Sequence, residues 1–326
     1  MGRRQLRQGF DLTFQQPIAY LTIDPYPIDS GFTIEENLKI GNRPEAGAQI
    51  ASMLASAAGT LDTYQLTHSP TFAYALSSWA EGAIDEADAE AKLRIFVTKI
   101  QHLMLGLWLV KDNSANPLKA YLRVDGASGP YYMGFGFANQ FHTADADLRP
   151  THFSNTEFEQ GVEFYRQLSA VIPQRPESES RATGLVLGGR LSRTIYLIQA
   201  ARTAPDLLIR IAFSCVCLEA LFSTDTSGIA HRISERTAMF LGTTGPDRRA
   251  IYSDIHQLYR TRSAVLHGSS VKESKVPLLS ALTRRCDDYL RRCITKILCD
   301  PLLLDLFERR PAGRVDAYFL DHLFPV

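Results

Sequence analysis

From residue 183 to the carboxyl end, apolar residues recur at helical spacing and almost every run closes on a glycine or a proline, so this part of the chain has to solve its burial with helices alone. Leu185 to Ala201 forms one segment, and Asp206 to Phe222, opened by Pro205 and Asp206, forms a second. Ile229 to Leu241 is a third, stopped by Gly242. A fourth starts after Gly245-Pro246-Asp247 and runs to His267, with Gly268 as its stop. A fifth spans about Pro277 to Leu298 and is halted by Asp300-Pro301, with short helices following to Phe324. Short connections between five helices predict an antiparallel bundle.

The first half is patterned differently. Ile18 to Ile23 is β-branched and aromatic and precedes Asp-Pro-Tyr-Pro, which reads as a strand ending in a turn. Residues 84–111 read as a long helix, acidic at its start, with Leu93, Phe96, Ile100, Leu103 and Leu107 on one face. Tyr121 to Val124 and Tyr131 to Phe137 flank Gly126-Ala-Ser-Gly129, a hairpin signal. Ser154-Asn-Thr-Glu157 is a capping box that opens a helix to about Leu168. The expectation is therefore an α+β domain over residues 1–172, a linker at 173–182 and an all-α bundle with a helical extension over 183–326, mostly α overall. The linker rests on Pro173-Gln-Arg-Pro-Glu-Ser-Glu-Ser-Arg181, which has two prolines and no apolar periodicity.

Charge changes sign at the same place. Residues 1–180 carry 14 Lys+Arg against 21 Asp+Glu, whereas 181–326 carry 21 against 14, and 18 of those 21 cations are arginines. A net charge of zero thus hides a basic half that can attract nucleic acid or dock on acidic groups of its own chain.

With 45% hydrophobic and 21% charged residues, disorder and fibrous classes are excluded. No apolar run reaches the roughly 18 residues needed to span a bilayer, His102 to Val110 being the longest, so no membrane association is expected. The basic amino terminus has no apolar stretch behind it, and Leu6 stands where a myristoylation signal needs Ser or Thr. All five cysteines lie after residue 214, without a C-x-x-C pair. Cys286 and Cys293, seven apart, suit a packed seam, so buried thiols in a reducing cytoplasm are expected, with no zinc site and no cofactor. His142 and His152, ten apart near Asp145 and Asp147, read as a surface loop and not a metal site.

The segment from Arg248 to Gly268 carries the most information. Ile251, Ile255, Leu258 or Tyr259, and Leu266 form an apolar stripe, and Arg262 interrupts it. An arginine on a core-facing stripe costs several kcal/mol unless paired or given a wet groove, so Arg262 faces a cleft, an interface or a buried carboxylate. His267 occupies the last turn, where the helix dipole favours an imidazolium. A guanidinium and a titratable imidazole at one helix end can bind a phosphodiester and move a proton. The same residues also suit an ordinary helix end, because His-Gly is a common stop and the spacing recurs by chance.

The ordered set goes further. Tyr259-Arg-Thr-Arg262-Ser263-Ala-Val-Leu-His267-Gly268 resembles the signature of HEPN domains, closely that of the Apea-like branch. Leu218-Glu219-Ala220-Leu221 stands where that branch has its Leu-Glu-Ala-Leu stretch, and Ser234 to Leu241 resembles the helix between them. The resemblance covers about residues 183–300. It implies a dimeric helical bundle acting as a metal-independent endoribonuclease, of the kind found in toxin–antitoxin or anti-phage systems, with RNA, a second protomer and a cognate antitoxin or defence protein as partners. Arg262 and His267 match the active pair and Ser263 the polar position beside them. Glu219, Arg236 and Tyr259 match supporting positions.

Arg284, Arg285, Arg291 and Arg292 repeat at a spacing of seven and form a basic stripe, either a phosphate track or an ion-pair face. Arg248, Arg249 and Arg260 can line an RNA path or form a solvated face, and the solvated face is the favoured reading, on the ground that nothing apolar or aromatic is interleaved with them. His231 and His256 read as packing or surface residues. Three functions stay open: a ribonuclease regulated by the acidic half, a non-catalytic HEPN module that dimerises and binds RNA or a nucleotide, and an amino-terminal recognition domain with the bundle as scaffold.

Overall fold

In the computed structural model, residues 10–24, 31–42, 52, 64, 69, 71–79, 86–126, 129–136, 140–172, 188–225, 227–266 and 272–324 are described. The Pro173–Arg181 linker, His267 and Gly268 lie outside them. The chain is mostly helical, with an antiparallel sheet in its N-terminal part.

Two compact units divide the chain. The first comprises Met1–Leu107, Ser114–Gln140 and Arg149–Tyr165. The second comprises Trp108–Asn113, Phe141–Leu148 and Arg166–Val326. The helical unit thus includes three stretches of the acidic half, 108–113, 141–148 and 166 onward, as well as the basic half.

In the first unit, β1 (Phe10–Ala19) is a central strand, antiparallel to β5 (Thr71–Trp79) on one side and β7 (Lys119–Gly126) on the other. Beyond β5 come β4 (Leu38–Gly41) and β3 (Phe32–Glu35), and beyond β7 comes β8 (Gly129–Gly136), giving the order β3-β4-β5-β1-β7-β8. The short β6 (Asn116–Pro117) pairs with the end of β1. Tyr20, at a φ of 62°, turns the chain out of β1 into β2 (Leu21–Ile23), which pairs in parallel with β9 (Thr151–Phe153). The expected hairpin forms with Gly126 opposite Gly129. Strands β3, β4 and β5 had no reading in the sequence: two have four residues, and Thr71–Trp79 mixes Ala, Leu and Ser without clean alternation.

Helix α1 (Glu86–Val110) buries the expected stripe of Leu93, Phe96, Ile100, Leu103 and Leu107, and Phe96 stacks on Phe14 of β1 at 5.4 Å. Among the described residues α1 alone is long and apolar enough to cross a membrane, and 61% of its apolar window is buried inside the protein. Helix α2 (Asn155–Val171) opens at the expected capping box: Ser154 N–H donates to Glu157 Oε2 at 3.0 Å, and Glu157 N–H donates to Ser154 Oγ at 3.3 Å. A Cβ at Gly106 would lie 2.3 Å from the Gly161 carbonyl oxygen, so glycine allows α1 and α2 to cross backbone to backbone.

The second unit holds α3 (Arg190–Thr203), α4 (Leu207–Phe222), α5 (Ile229–Leu241), α6 (Gly245–Leu266), α7 (Val276–Cys299), α8 (Pro301–Arg309) and α9 (Ala312–Leu323). Helix α3 packs on α4, α5 on α6, and α7 on α4, α5 and α6. Asp206 caps α4 by accepting from the N–H groups of Leu208 and Ile209, and Asp300 caps α8 in the same way. Phe222, Phe240, Phe307 and Phe319 join α4, α5, α8 and α9 in one aromatic cluster, with Phe222 within 5.4–5.8 Å of the other three rings. Cys215, Cys217, Cys286 and Cys293 are buried free thiols, and Cys299 is exposed.

His142 departs from the surface loop expected for it. Its N–H donates to the Arg202 carbonyl at 2.8 Å and its carbonyl accepts from Arg210 at 3.3 Å, which holds the residue in the interior at 9% exposure. His152 is exposed and faces Asp24 at 2.8 Å.

The same region contains a buried polar network. Arg202 lies 4.7 Å above the Phe141 ring and donates to the Asn113 carbonyl at 2.8 Å. Arg210 donates to the carbonyls of Ala144, Arg202, Ala204 and His142. Asp287 of α7 accepts from Trp108 Nε1 at 3.1 Å and from Arg291 at 2.8 Å. Burial, followed by repulsion from Asp112, pushes the Asp287 carboxyl up to about 6 against the pull of Arg291, Arg210 and Arg202.

Candidate functional site

Helix α6 starts where Thr244 and Asp247 satisfy its first turn. Asp247 N–H donates to Thr244 Oγ1 at 3.3 Å, and the Asp247 carboxylate accepts from Thr243 N–H at 3.1 Å. Ile251, Ile255 and Leu258 are fully buried and Tyr259 nearly so, as the apolar stripe requires. Arg262 follows on the same face.

Of the environments expected for Arg262, the structure supplies the carboxylate. Arg262 Nη1 lies 3.0 Å from Glu219 Oε1 on α4, with the two side chains 28% and 22% exposed. The guanidinium sits 5.9 Å from the centre of the Tyr259 ring, and its Nε is buried with no hydrogen-bond partner among the described residues. Tyr259 donates its hydroxyl to the Cys215 carbonyl at 3.3 Å. Burial, then the Cys215 thiol and the Glu219 carboxylate, push the Tyr259 phenol far above its ordinary range. Burial pushes the Cys215 thiol up to about 12, with Arg262 opposing and Glu219 reinforcing. Both groups are therefore neutral at physiological pH. Tyr259 is a platform and hydrogen-bond donor, and Cys215 is no thiolate nucleophile. The ionic part of the cluster is Arg262 with Glu219: a fixed guanidinium, part-exposed, able to meet an anion from the solvent side.

Ser263 is exposed on the next position of α6. Arg236 has different partners. It donates to the Phe222 carbonyl at 2.6 Å and to Thr224 Oγ1 at 2.9 Å, pairs with Asp316 of α9 and lies 5.2 Å from the Phe319 ring. Burial alone would raise Asp316, but hydrogen bonds from Thr224 and Arg236 hold it below the usual carboxylate range. Arg236 thus ties α5 to the end of α4 and to α9.

The four arginines of α7 are all ion-paired. Arg284 meets Asp145 at 2.8 Å, and Arg285 grips Asp254 of α6 through Nε at 2.7 Å and Nη2 at 2.9 Å. Arg291 meets Asp287 and Asp288 at 2.8 and 3.2 Å, and Arg292 meets Asp288 at 3.8 Å. This is the arrangement of an ion-pair face. Part of it was readable: Asp287 and Asp288 precede Arg291 and Arg292 by four residues, the favourable helical spacing. Asp145 and Asp254 are brought in by folding.

Contrary to the solvated face expected, aromatic rings stand between the α6 arginines. Tyr252 and His256, one turn apart, stack with ring centres 5.8 Å apart and planes within 13°. His231 of α5 adds a third ring, its Nδ1 2.8 Å from the Tyr252 hydroxyl. Spacing within α6 could have revealed the first pair, since residues four apart share a face.

Among the described residues no group of three or more His, Cys, Asp or Glu could hold a metal ion. No protein-family model matches the chain, and neither does any curated protein or solved structure.

Proposed function

We propose that the chain is a metal-independent endoribonuclease of the HEPN type. The 2′-hydroxyl of RNA attacks the adjacent phosphate, the P–O5′ bond breaks, and a 2′,3′-cyclic phosphate and a 5′-hydroxyl end result. Arg262 holds the phosphate and its developing charge, His267 transfers the proton, and Ser263 lines the same helix end. Glu219 and Tyr259 orient the guanidinium. Two protomers bring their motifs together, and the acidic N-terminal half regulates the nuclease within an anti-phage or toxin–antitoxin system.

The observation that carries this reading is Arg262 itself. A residue on a core-facing stripe is a costly place for a cation, yet here it is part-exposed and held by a carboxylate and a ring. A helix that needed only packing is served better by an apolar residue at that position. A second reading, a non-catalytic module that binds RNA, draws on the same pair, because Glu219 offsets part of the charge that a phosphate meets.

Incubation of the full chain with total cellular RNA in EDTA, beside Arg262→Ala and His267→Ala, separates the two. Cleavage by wild type alone, with cyclic-phosphate ends, supports the enzyme. RNA bound by the wild type, more weakly by Arg262→Ala, and cut by none of the three proteins supports the module.

A further inference from the structure

Helix α6 carries a second feature on a face turned away from the buried stripe that includes Arg262. Arg249, Tyr252, His256 and Arg260 stand at intervals of three and four residues, so they follow one face of the helix over about 16 Å at 1.5 Å per residue. Arg249 and Arg260 are exposed, and Tyr252 and His256 are half-buried. Among the described residues neither of these two arginines makes an ion pair, in contrast to the four on α7. Between them lies the Tyr252–His256 stack, buttressed by His231 from α5.

We infer that this face is a single-stranded RNA track, in which Arg249 and Arg260 take phosphates and the Tyr252–His256 stack takes a base. The inference rests on the ribonuclease reading for what the track feeds: the four residues run along α6 toward the helix end that carries Arg262. Its own grounds are separate. Cations without carboxylate partners, interleaved with stacked rings on an accessible face, match what single strands need, a positive path for the backbone and a flat surface for bases. An acidic peptide uses the cations and has no use for the stacked rings.

The test uses the full chain carrying His267→Ala, so that substrate survives, and a short fluorescein-labelled single-stranded RNA in EDTA, read by anisotropy across a salt series. Arg249→Ala with Arg260→Ala weakens binding at least about tenfold and lowers the salt slope by about 1.4, the value for two phosphate contacts on a single strand. Tyr252→Ala with His256→Ala weakens it roughly 5- to 150-fold and leaves the slope in place. All four positions are at least partly exposed on a helix where alanine is tolerated, and a thermal melt verifies folding. Unchanged affinity in both variants overturns the track, and cleavage by the wild type then leaves the ribonuclease reading standing. Track-dependent binding without cleavage by the wild type does the reverse. A labelled polyglutamate peptide that binds as tightly as RNA and ignores the ring change also overturns the assignment, in favour of a plain cationic patch.

Discussion

Helices α6 and α7 pack on one another and carry four arginines each, yet the two sets are in different electrostatic states. On α7 every guanidinium faces a carboxylate, from Asp145, Asp254, Asp287 or Asp288. On α6, among the described residues, only Arg262 does, through Glu219. Arg248 turns to the Gly242 carbonyl, and Arg249 and Arg260 face solvent. Counting basic residues therefore misplaces the available charge. Cations near a surface attract a polyanion only to the extent that their own protein has not already neutralised them.

The largest effect expected from this contrast is on chemistry. Arg262→Ala and His267→Ala each lower RNA cleavage on the order of a thousandfold, with melting temperatures close to wild type, as read by product formation in EDTA. Full activity in Arg262→Ala would falsify the site.

The next largest is on stability, and it belongs to α7. Asp287→Ala leaves the Trp108 indole without its acceptor and Arg291 with Asp288 alone, so urea unfolding should show a loss of about 3 kcal/mol. Arg292→Ala, on the exposed side of the same helix, changes stability by less than about 1 kcal/mol. Equal losses in the two variants break the distinction between a buried network and a solvated pair.

A smaller effect sharpens the comparison of charge availability. Asp254→Asn releases Arg285 while leaving an oxygen for the Tyr289 hydroxyl, at a cost below about 1 kcal/mol. RNA affinity in the cleavage-dead background then rises a few-fold. No change there means that availability is not what separates the helices.

The last effect is a pH slope. The Asp287 carboxyl titrates at about 6 in the fold, against roughly 3.9 in an unfolded chain. Between those values the native state binds more protons, so this group's contribution to stability falls as pH rises from about 4 to 6. Asp287→Asn removes that component. His102 of α1 runs the other way: burial lowers its imidazole to about 4, so its contribution is lost as pH falls from about 6.5 to 4. The difference in melting temperature between wild type and Asp287→Asn, measured from pH 4 to 7, cancels the His102 component. A flat difference disproves the assignment to Asp287.

Much of this protein was legible before folding. Helix boundaries in the second half follow their caps and stops to within a few residues, because Asp206, Gly242 and Asp300 act through local hydrogen bonds and backbone angles. The burial of Ile251, Ile255 and Leu258 follows from helical period alone, and so does the anomaly of Arg262. The Ser154–Glu157 capping box and the Gly126–Gly129 hairpin are local in the same sense.

Only the tertiary structure decided which charges meet. Glu219 and Arg262 are 43 residues apart, Arg285 and Asp254 are 31 apart, and Arg284 and Asp145 are 139 apart. No periodicity links such pairs, because partner choice depends on which helix faces lie side by side. The interior position of His142 is set in the same way, by residues more than fifty positions downstream: the Arg202 main-chain carbonyl accepts from its N–H, and the Arg210 guanidinium donates to its carbonyl. Local hydrogen bonding and periodic burial are written along the chain. The state of each charge is set by distance through space.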